Sequence, residues 1–188
     1  MIIWGSSRQK REGGVVVDWI KSQVEKDKRY EIEFVDLKEL KLPIFDEVCN
    51  PFEMTSFDAY ENPESKAWAE RVNVAEAFLI ITPEYNRSLP GVLKNALDTV
   101  GKPWIDKPVG IISYGGLSGG MIAASHLRLI ATELGLLQTS NWLAFPYFKK
   151  SFDSKGQPER LDYYEAMVKK MLDGIDRIHQ KFSPDRDT

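Results

Sequence analysis

Among 188 residues the sequence holds one cysteine, Cys49, and two histidines, His126 and His179. A single cysteine forms no intrachain disulfide, which suits a reducing cytoplasm, and the cytoplasm is the expected location. So few histidines and cysteines leave no cluster with metal-ligand spacing, so no metal site is expected. No apolar run approaches the roughly 20 residues of a membrane span. Met1-Ile2-Ile3-Trp4 leads straight into Gly5 without the apolar stretch of a secretory leader, so neither a membrane nor a leader is expected. Neither charge sign dominates: 25 Lys and Arg against 28 Asp and Glu give a net charge of −3, which argues against nucleic acid as a partner. Two phosphate-binding signatures are also missing. No G-x-G-x-x-G follows the first apolar run and no G-x-x-x-x-G-K-[ST] occurs anywhere. Gly115 and Gly120 have the spacing of the second, but Met121 and Ile122 stand where it needs Lys and Ser or Thr, which excludes nucleoside triphosphate chemistry.

What is present is an alternation of strand and helix patterns. A chain of this length, 43 % hydrophobic and 28 % charged, is expected to fold as one domain over 1–188 with a sizeable core. Ile2–Trp4 is a minimal strand, and a helix starts near Val15. Tyr30–Leu37 alternates apolar and charged residues as a half-buried strand does. Residues 42–64 lose periodicity and carry Pro43, Pro51, Pro63 and four aromatics, a loop long enough to be functional. A helix is expected over Ser65–Ala75. The almost wholly apolar run Ala77–Ile81 then forms a strand covered on both faces, and a helix opened by Pro90 runs to Asp98. Pro108–Tyr114 is another buried strand, Met121–Leu134 a helix ended by Gly135, and Leu136–Phe145 contains a fifth strand. Leu161, Tyr164, Val168, Met171, Ile175, Ile178 and Phe182 form a narrow stripe on a last helix, expected to pack on the sheet rather than in a coiled coil. Ser183–Thr188 is expected to fray. The expected fold is α/β, a doubly wound five-stranded parallel sheet with helices on both faces.

In such a fold the loops after successive strands meet at one sheet edge, where ligands bind. Three loops therefore converge: 5–14, 82–90 and 113–120. The first combines serines, glycines and the cations Arg8, Lys10 and Arg11 directly before a helix. Backbone N–H groups and the positive end of the helix dipole favour a phosphate there. Ser6 and Ser7 donate hydroxyl hydrogens, Arg8 adds a charged pair, and Lys10 or Arg11 is expected to meet a second phosphate. The glycines at 115–120 let a flat ligand approach the backbone. Glu84 is either a base or a residue that positions backbone.

Gly116-Leu117-Ser118-Gly119-Gly120 matches the G-x-S-x-G nucleophile elbow, in the strand–turn–helix context that motif requires. A hydrolase also needs an acid and then a histidine. His126 lies inside the helix that follows the serine and His179 at the end of the terminal helix, so a serine hydrolase is not expected. Without a nucleophile or an acid–base pair, no catalytic side chain is assigned, and a bound cofactor is the natural carrier of reactivity.

Gly5-Ser6-Ser7-Arg8, the string from Pro83 to Asp98 (P-E-Y-N-x-S-x-P-G-x-L-K-N-A-x-D) and Ser113-Tyr114-Gly115-Gly116-x-x-Gly119-Gly120 together resemble the NAD(P)H-dependent FMN reductase family of flavodoxin-like proteins. The resemblance runs from Gly5 to the terminal helix. It implies a flavodoxin-like fold in which Ser6, Arg8, Gly13, Gly14 and Val15 hold the FMN phosphate. It places Pro83, Glu84, Tyr85 and Asn86 on one side of the isoalloxazine, and Ser113, Tyr114, Gly115, Gly116, Gly119 and Gly120 on the other. Family members pass a hydride from NADPH or NADH to FMN and then to a flavin, quinone, azo compound or metal oxyanion. They are homodimers or homotetramers. The apolar lid over the ring is Tyr85, Trp104 or an aromatic of the 42–64 loop. An electron carrier without nicotinamide activity is the alternative, against which stand the modest net charge and the basic first loop. The family's first strand is longer than Ile2–Trp4, so a weaker central strand is expected here.

Overall fold

Every strand pairs in parallel, in the order β2 (Phe34–Asp36), β1 (Ile2–Trp4), β3 (Phe78–Pro83), β4 (Pro108–Tyr114), β5 (Leu137–Gln138). The computed structural model describes residues 1–182, so the expected fraying of Ser183–Thr188 lies outside the described residues. A further strand, β6, is Leu143–Phe145. β5 and β6 both pair with β4, at Pro108–Val109 and Ile112–Tyr114 respectively. They are two pieces of one interrupted fifth strand. The three residues of β1 pair on both sides, Ile3 opposite Val35 and Ile80. Gly5 extends that ladder by donating its N–H to the Ile81 carbonyl at 2.9 Å, so the short strand is fully tied in.

The helices are α1 Gly14–Glu25, α2 Leu37–Leu40, α3 Pro63–Val74, α4 Gly91–Asp98, α5 Met121–Glu133 and α6 Leu161–Phe182. Side chains alternate across the sheet with the strand period of two. Ile3, Ile80 and Ile111 point into a core with α3, α4 and α5, and Ile2, Ile81 and Ile112 into a second core with α1 and α6. The sheet is thus wound on both faces, as expected. The α6 stripe, buried at Tyr164, Val168, Met171, Leu172 and Ile175, packs on the sheet.

Four boundaries differ from the sequence reading, the first at β3, which covers Phe78–Pro83 rather than Ala77–Ile81, with Pro83 opposite Tyr114. β2 covers Phe34–Asp36 rather than Tyr30–Leu37, because Tyr30 and Ile32 leave the ladder to pack against the α6 side, where the Tyr30 hydroxyl donates to the Leu172 carbonyl at 2.8 Å. Leu37 opens α2 instead, whose N-cap carboxylate, Asp36, accepts from the Lys38 N–H. α3 begins at Pro63, with Asn62 as its N-cap accepting from Glu64 and Ser65.

The 42–64 loop is pinned away from the edge where β1, β3 and β4 end. Phe45 N–H donates to Asn95 Oδ1, Asn95 Nδ2 donates to the Pro43 carbonyl, and the Tyr60 hydroxyl donates to the Thr99 carbonyl. Trp104 is fully buried, edge-on to Trp68 and Phe78. None of the loop's aromatics reaches the cavity at the strand ends, and Trp104 is a core residue; of the three expected lids only Tyr85 reaches that cavity.

Candidate functional site

β1, β3 and β4 all end at one edge of the sheet, and their following loops enclose a cavity of about 340 Å³, within the usual range for a small-molecule site. Nine of the expected residues line it: Ser6, Arg8 and Gly13 from the first loop; Pro83, Glu84 and Tyr85 from the second; Tyr114, Gly115 and Gly116 from the third. Gly14, Val15, Asn86, Ser113, Gly119 and Gly120 lie outside the lining.

The first loop is braced from below. The Arg11 guanidinium lies 3.9 Å over the Trp4 ring and donates to the Ser6 carbonyl at 3.1 Å. It also pairs with Asp36 at 2.5 Å, the two side chains only 13 % and 15 % exposed. Arg11 is therefore not the free cation its sequence position suggests; its charge is matched by the carboxylate at the end of β2. Arg8 and Lys10 are exposed and, among the described residues, form no ion pair. The Ser6 side chain is buried, its Oγ 2.9 Å from the Tyr85 hydroxyl, which joins the first and second loops. Gly13 is the N-cap of α1 and offers no side-chain cap. The Gly14 N–H donates to the Arg11 carbonyl and the Val16 N–H to the Gly13 carbonyl, so among the first three helical amides Val15's is the one open to an anion. Gly13 is also needed for space, since a Cβ there would stand 2.2 Å from the Tyr114 ring.

In the second loop Tyr85 and Ser88 exchange backbone hydrogen bonds at 2.8 and 3.0 Å. Asn86 and Arg87 between them take φ of 48° and 67°, as the tight two-residue turn requires. Asn tolerates that conformation and so has a local reason to be there. Glu84 reaches the start of α5. Its Oε2 accepts from the Ile122 and Ala123 N–H groups at 3.1 and 3.4 Å and from Ser118 Oγ at 3.4 Å, placing a negative charge at the N-terminus of α5 where the dipole favours it.

In the third loop Ser113 Oγ donates to the Gly119 carbonyl at 2.9 Å, and Gly119 and Gly120 take φ of 63° and 83°, which favours glycine. Gly116 differs: a Cβ there would meet nothing within 4 Å. Its lack of a side chain leaves only the cavity more room. Tyr114 forms the floor, accepting from the Trp4 indole at 3.0 Å, and burial pushes its phenol pKa up to about 12.

A fourth segment, Tyr147–Lys150, completes the wall and was not singled out from sequence. The signal was available: Phe145 ends a strand of the same parallel sheet, so the segment after it belongs to the same edge. Phe148 packs edge-on against Tyr114 with centroids 5.1 Å apart. Tyr147 N–H donates to the Gly116 carbonyl at 2.9 Å, and Lys149 pairs with Glu12 of the first loop.

The elbow motif does not assemble a hydrolase. The Ser118 hydroxyl faces Glu84, His126 Nδ1 lies 3.1 Å from Ser88 Oγ, and His179 is beside Glu76. Among the described residues no group of three or more His, Cys, Asp or Glu is placed to hold a metal ion, and no helix is long and apolar enough to cross a membrane.

The strand order and a cavity at the strands' C-terminal ends define a flavodoxin-like architecture. The flavoenzyme NAD(P)H:(acceptor) oxidoreductase of Paracoccus denitrificans superposes with a TM-score of 0.72 at 21 % identity, covering 96 % of each chain. A flavodoxin of Fusobacterium nucleatum bound to flavin mononucleotide superposes with a TM-score of 0.50 at 14 % identity, covering 97 % of each chain. The chain belongs to the NADPH-dependent FMN reductase family, whose model matches residues 1–150. Relatives include an NAD(P)H-dependent FMN reductase of Schizosaccharomyces pombe, 36 % identical over 131 residues, 70 % of this chain and 64 % of that protein. The 2-hydroxy-1,4-benzoquinone reductase of a Burkholderia species is 36 % identical over 114 residues, 57 % of each. The matched stretches thus span less than two thirds of these relatives' length.

Proposed function

We propose that the chain is a single FMN-binding domain over 1–188 that uses NADPH or NADH to reduce a small acceptor of the quinone type. The observation that carries this reading is the cavity itself, where a glycine that no protein atom crowds, Gly116, faces a loop with two exposed, unmatched cations, Arg8 and Lys10, and an uncapped helix start. That donor set fits a flat ring ending in a phosphate. Bound FMN would supply the hydride transfer that the chain's own side chains cannot.

The chain's residues do the rest. Arg8 and the Val15 amide at the start of α1 bind the phosphate, with Ser6 holding the loop to Tyr85. Pro83, Glu84, Tyr85, Gly115 and Gly116 flank the ring, and Tyr114 with Phe148 keeps the floor apolar. Tyr85 and Tyr147 are the aromatic groups placed to cover a stacked nicotinamide and exclude water. Holding two reactants in contact can lower a barrier by up to roughly 7–11 kcal/mol. Asn86, Ser113, Gly119 and Gly120 shape the loops from outside the lining.

Family membership and the relatives' names support quinones and flavins as acceptors; azo compounds and metal oxyanions are the further acceptors that the resemblance implies. Exposed Leu117, Met121 and Leu129 beside and along α5 support a homodimer or homotetramer, and a free, exposed Cys49 thiol is consistent with the cytoplasm. Steady-state reduction of benzoquinones by NADPH, with FMN present, tests the activity. Parallel double-reciprocal lines are expected from substitution of one substrate by the other at one site; no turnover above free FMN contradicts it.

A further inference from the structure

Five cations line the cavity, and two of them are neutralised within the fold: Arg11 by Asp36 and Lys149 by Glu12. Arg8, Lys10 and Lys150 form no ion pair among the described residues, although the whole chain is net negative. Arg8 already has a role at the first loop. Lys150 comes from the opposite end of the sheet order, on the segment after β6, and that segment is built rather than loose. Tyr147 is tied to Gly116, the Lys150 N–H donates to the Tyr147 carbonyl at 2.7 Å, and the Lys149–Glu12 pair fixes the segment to the first loop. Tyr147 holds φ of 42° to make the turn.

We propose that Lys150, together with Lys10, is a second phosphate-recognition arm of the cavity, selecting a ligand that carries a phosphate monoester. The inference rests on the reading of the cavity as a nucleotide-cofactor site. Its physics is simple. Ammonium groups on flexible stems bind phosphate as point charges, and a cleft holding uncompensated charge of one sign concentrates ligands of the other. The neutralised neighbours, Arg11 and Lys149, link their segments to Asp36 and Glu12, and Lys10 and Lys150 line the same cavity from two different loops. Two ligands carry the required group, FMN with its 5′-phosphate and NADPH with its 2′-phosphate.

The test compares Lys10→Ala, Lys150→Ala, the double variant and Lys150→Arg with the unmodified protein. Affinities for FMN and riboflavin are measured by flavin fluorescence, and kcat/KM for NADPH and NADH by steady-state turnover. Both lysines are exposed, so the variants should fold. At least about a tenfold fall in the FMN-to-riboflavin affinity ratio, the size expected for a lost charge-assisted phosphate contact, assigns the arm to the flavin phosphate. A similar fall in the NADPH-to-NADH ratio assigns it to the 2′-phosphate. Lys150→Arg should keep most of whichever ratio falls. If the double variant keeps both ratios while the unmodified protein binds FMN and turns over, the lysine assignment is overturned and the reductase reading survives. If the unmodified protein binds neither flavin, the reductase reading fails and the arm fails with it.

Discussion

Two glycines at the cavity separate the needs of the fold from those of a ligand. Gly13 touches Tyr114, so Gly13→Ala forces the ring to move and should cost about 1–3 kcal/mol of stability, as overpacking does, readable by denaturant unfolding of the apoprotein. Gly116 touches nothing within 4 Å. Gly116→Ala should leave apoprotein stability within about 0.5 kcal/mol while weakening FMN binding, and equal FMN affinity in that variant would remove the ring from this wall. Tyr30, Tyr60 and Tyr114 have phenol pKa values pushed up by burial to about 12, from an ordinary 10.0. A raised folded-state pKa contributes stability that is fully present below pH 10 and lost as pH rises through 12. The melting temperature should therefore fall across that window, and absorbance should show late-ionising tyrosines in the native protein that titrate normally once unfolded.

At the level of elements, the buried strands and long helices are legible in the sequence because their apolar patterns have one solution. Phe78–Pro83 and Pro108–Tyr114 are buried along their length, and the α6 stripe from Tyr164 to Ile175, with Phe182 at its end left about half exposed. The second strand is shorter than its alternation suggests because Tyr30 and Ile32 serve α6 rather than the ladder, a tertiary preference that no local pattern encodes. Of the cavity, the parts on short loops with glycine, serine and proline are legible, since those residues mark turns. The Tyr147–Lys150 wall is not, because its aromatics and lysines carry no turn signature and only the sheet order brings them beside Gly13. Arg11's role is equally hidden: its partner Asp36 lies 25 residues away in sequence. That brace is testable. Asp36→Asn should cost about 1.5–3 kcal/mol of stability, the usual contribution of a charged hydrogen bond, and should speed FMN dissociation by loosening the first loop. Unchanged dissociation would show that the loop is held without it.

Across the whole molecule, a chain of net charge −3 concentrates five cations and only two carboxylates, Glu12 and Glu84, around one cavity. Attraction of anionic cofactors to that cavity should weaken as salt shortens the Debye length from about 10 Å at 0.1 M towards 3 Å at 1 M. The FMN dissociation constant should rise with ionic strength and the riboflavin constant should not; parallel behaviour of the two would place the phosphate outside the basic region. The two cores on either face of the sheet hold the strand ends in register, and the four loop segments meet around the one cavity. The central claim is that this cavity binds FMN and lets a reduced nicotinamide reach it. Anaerobic titration of the FMN-loaded protein with NADPH, followed in the flavin's visible absorption band, tests it most directly. Loss of that band with one equivalent of NADPH per bound FMN is predicted; a protein that takes up no FMN, or whose bound FMN keeps its absorption through excess NADPH and NADH, would contradict it.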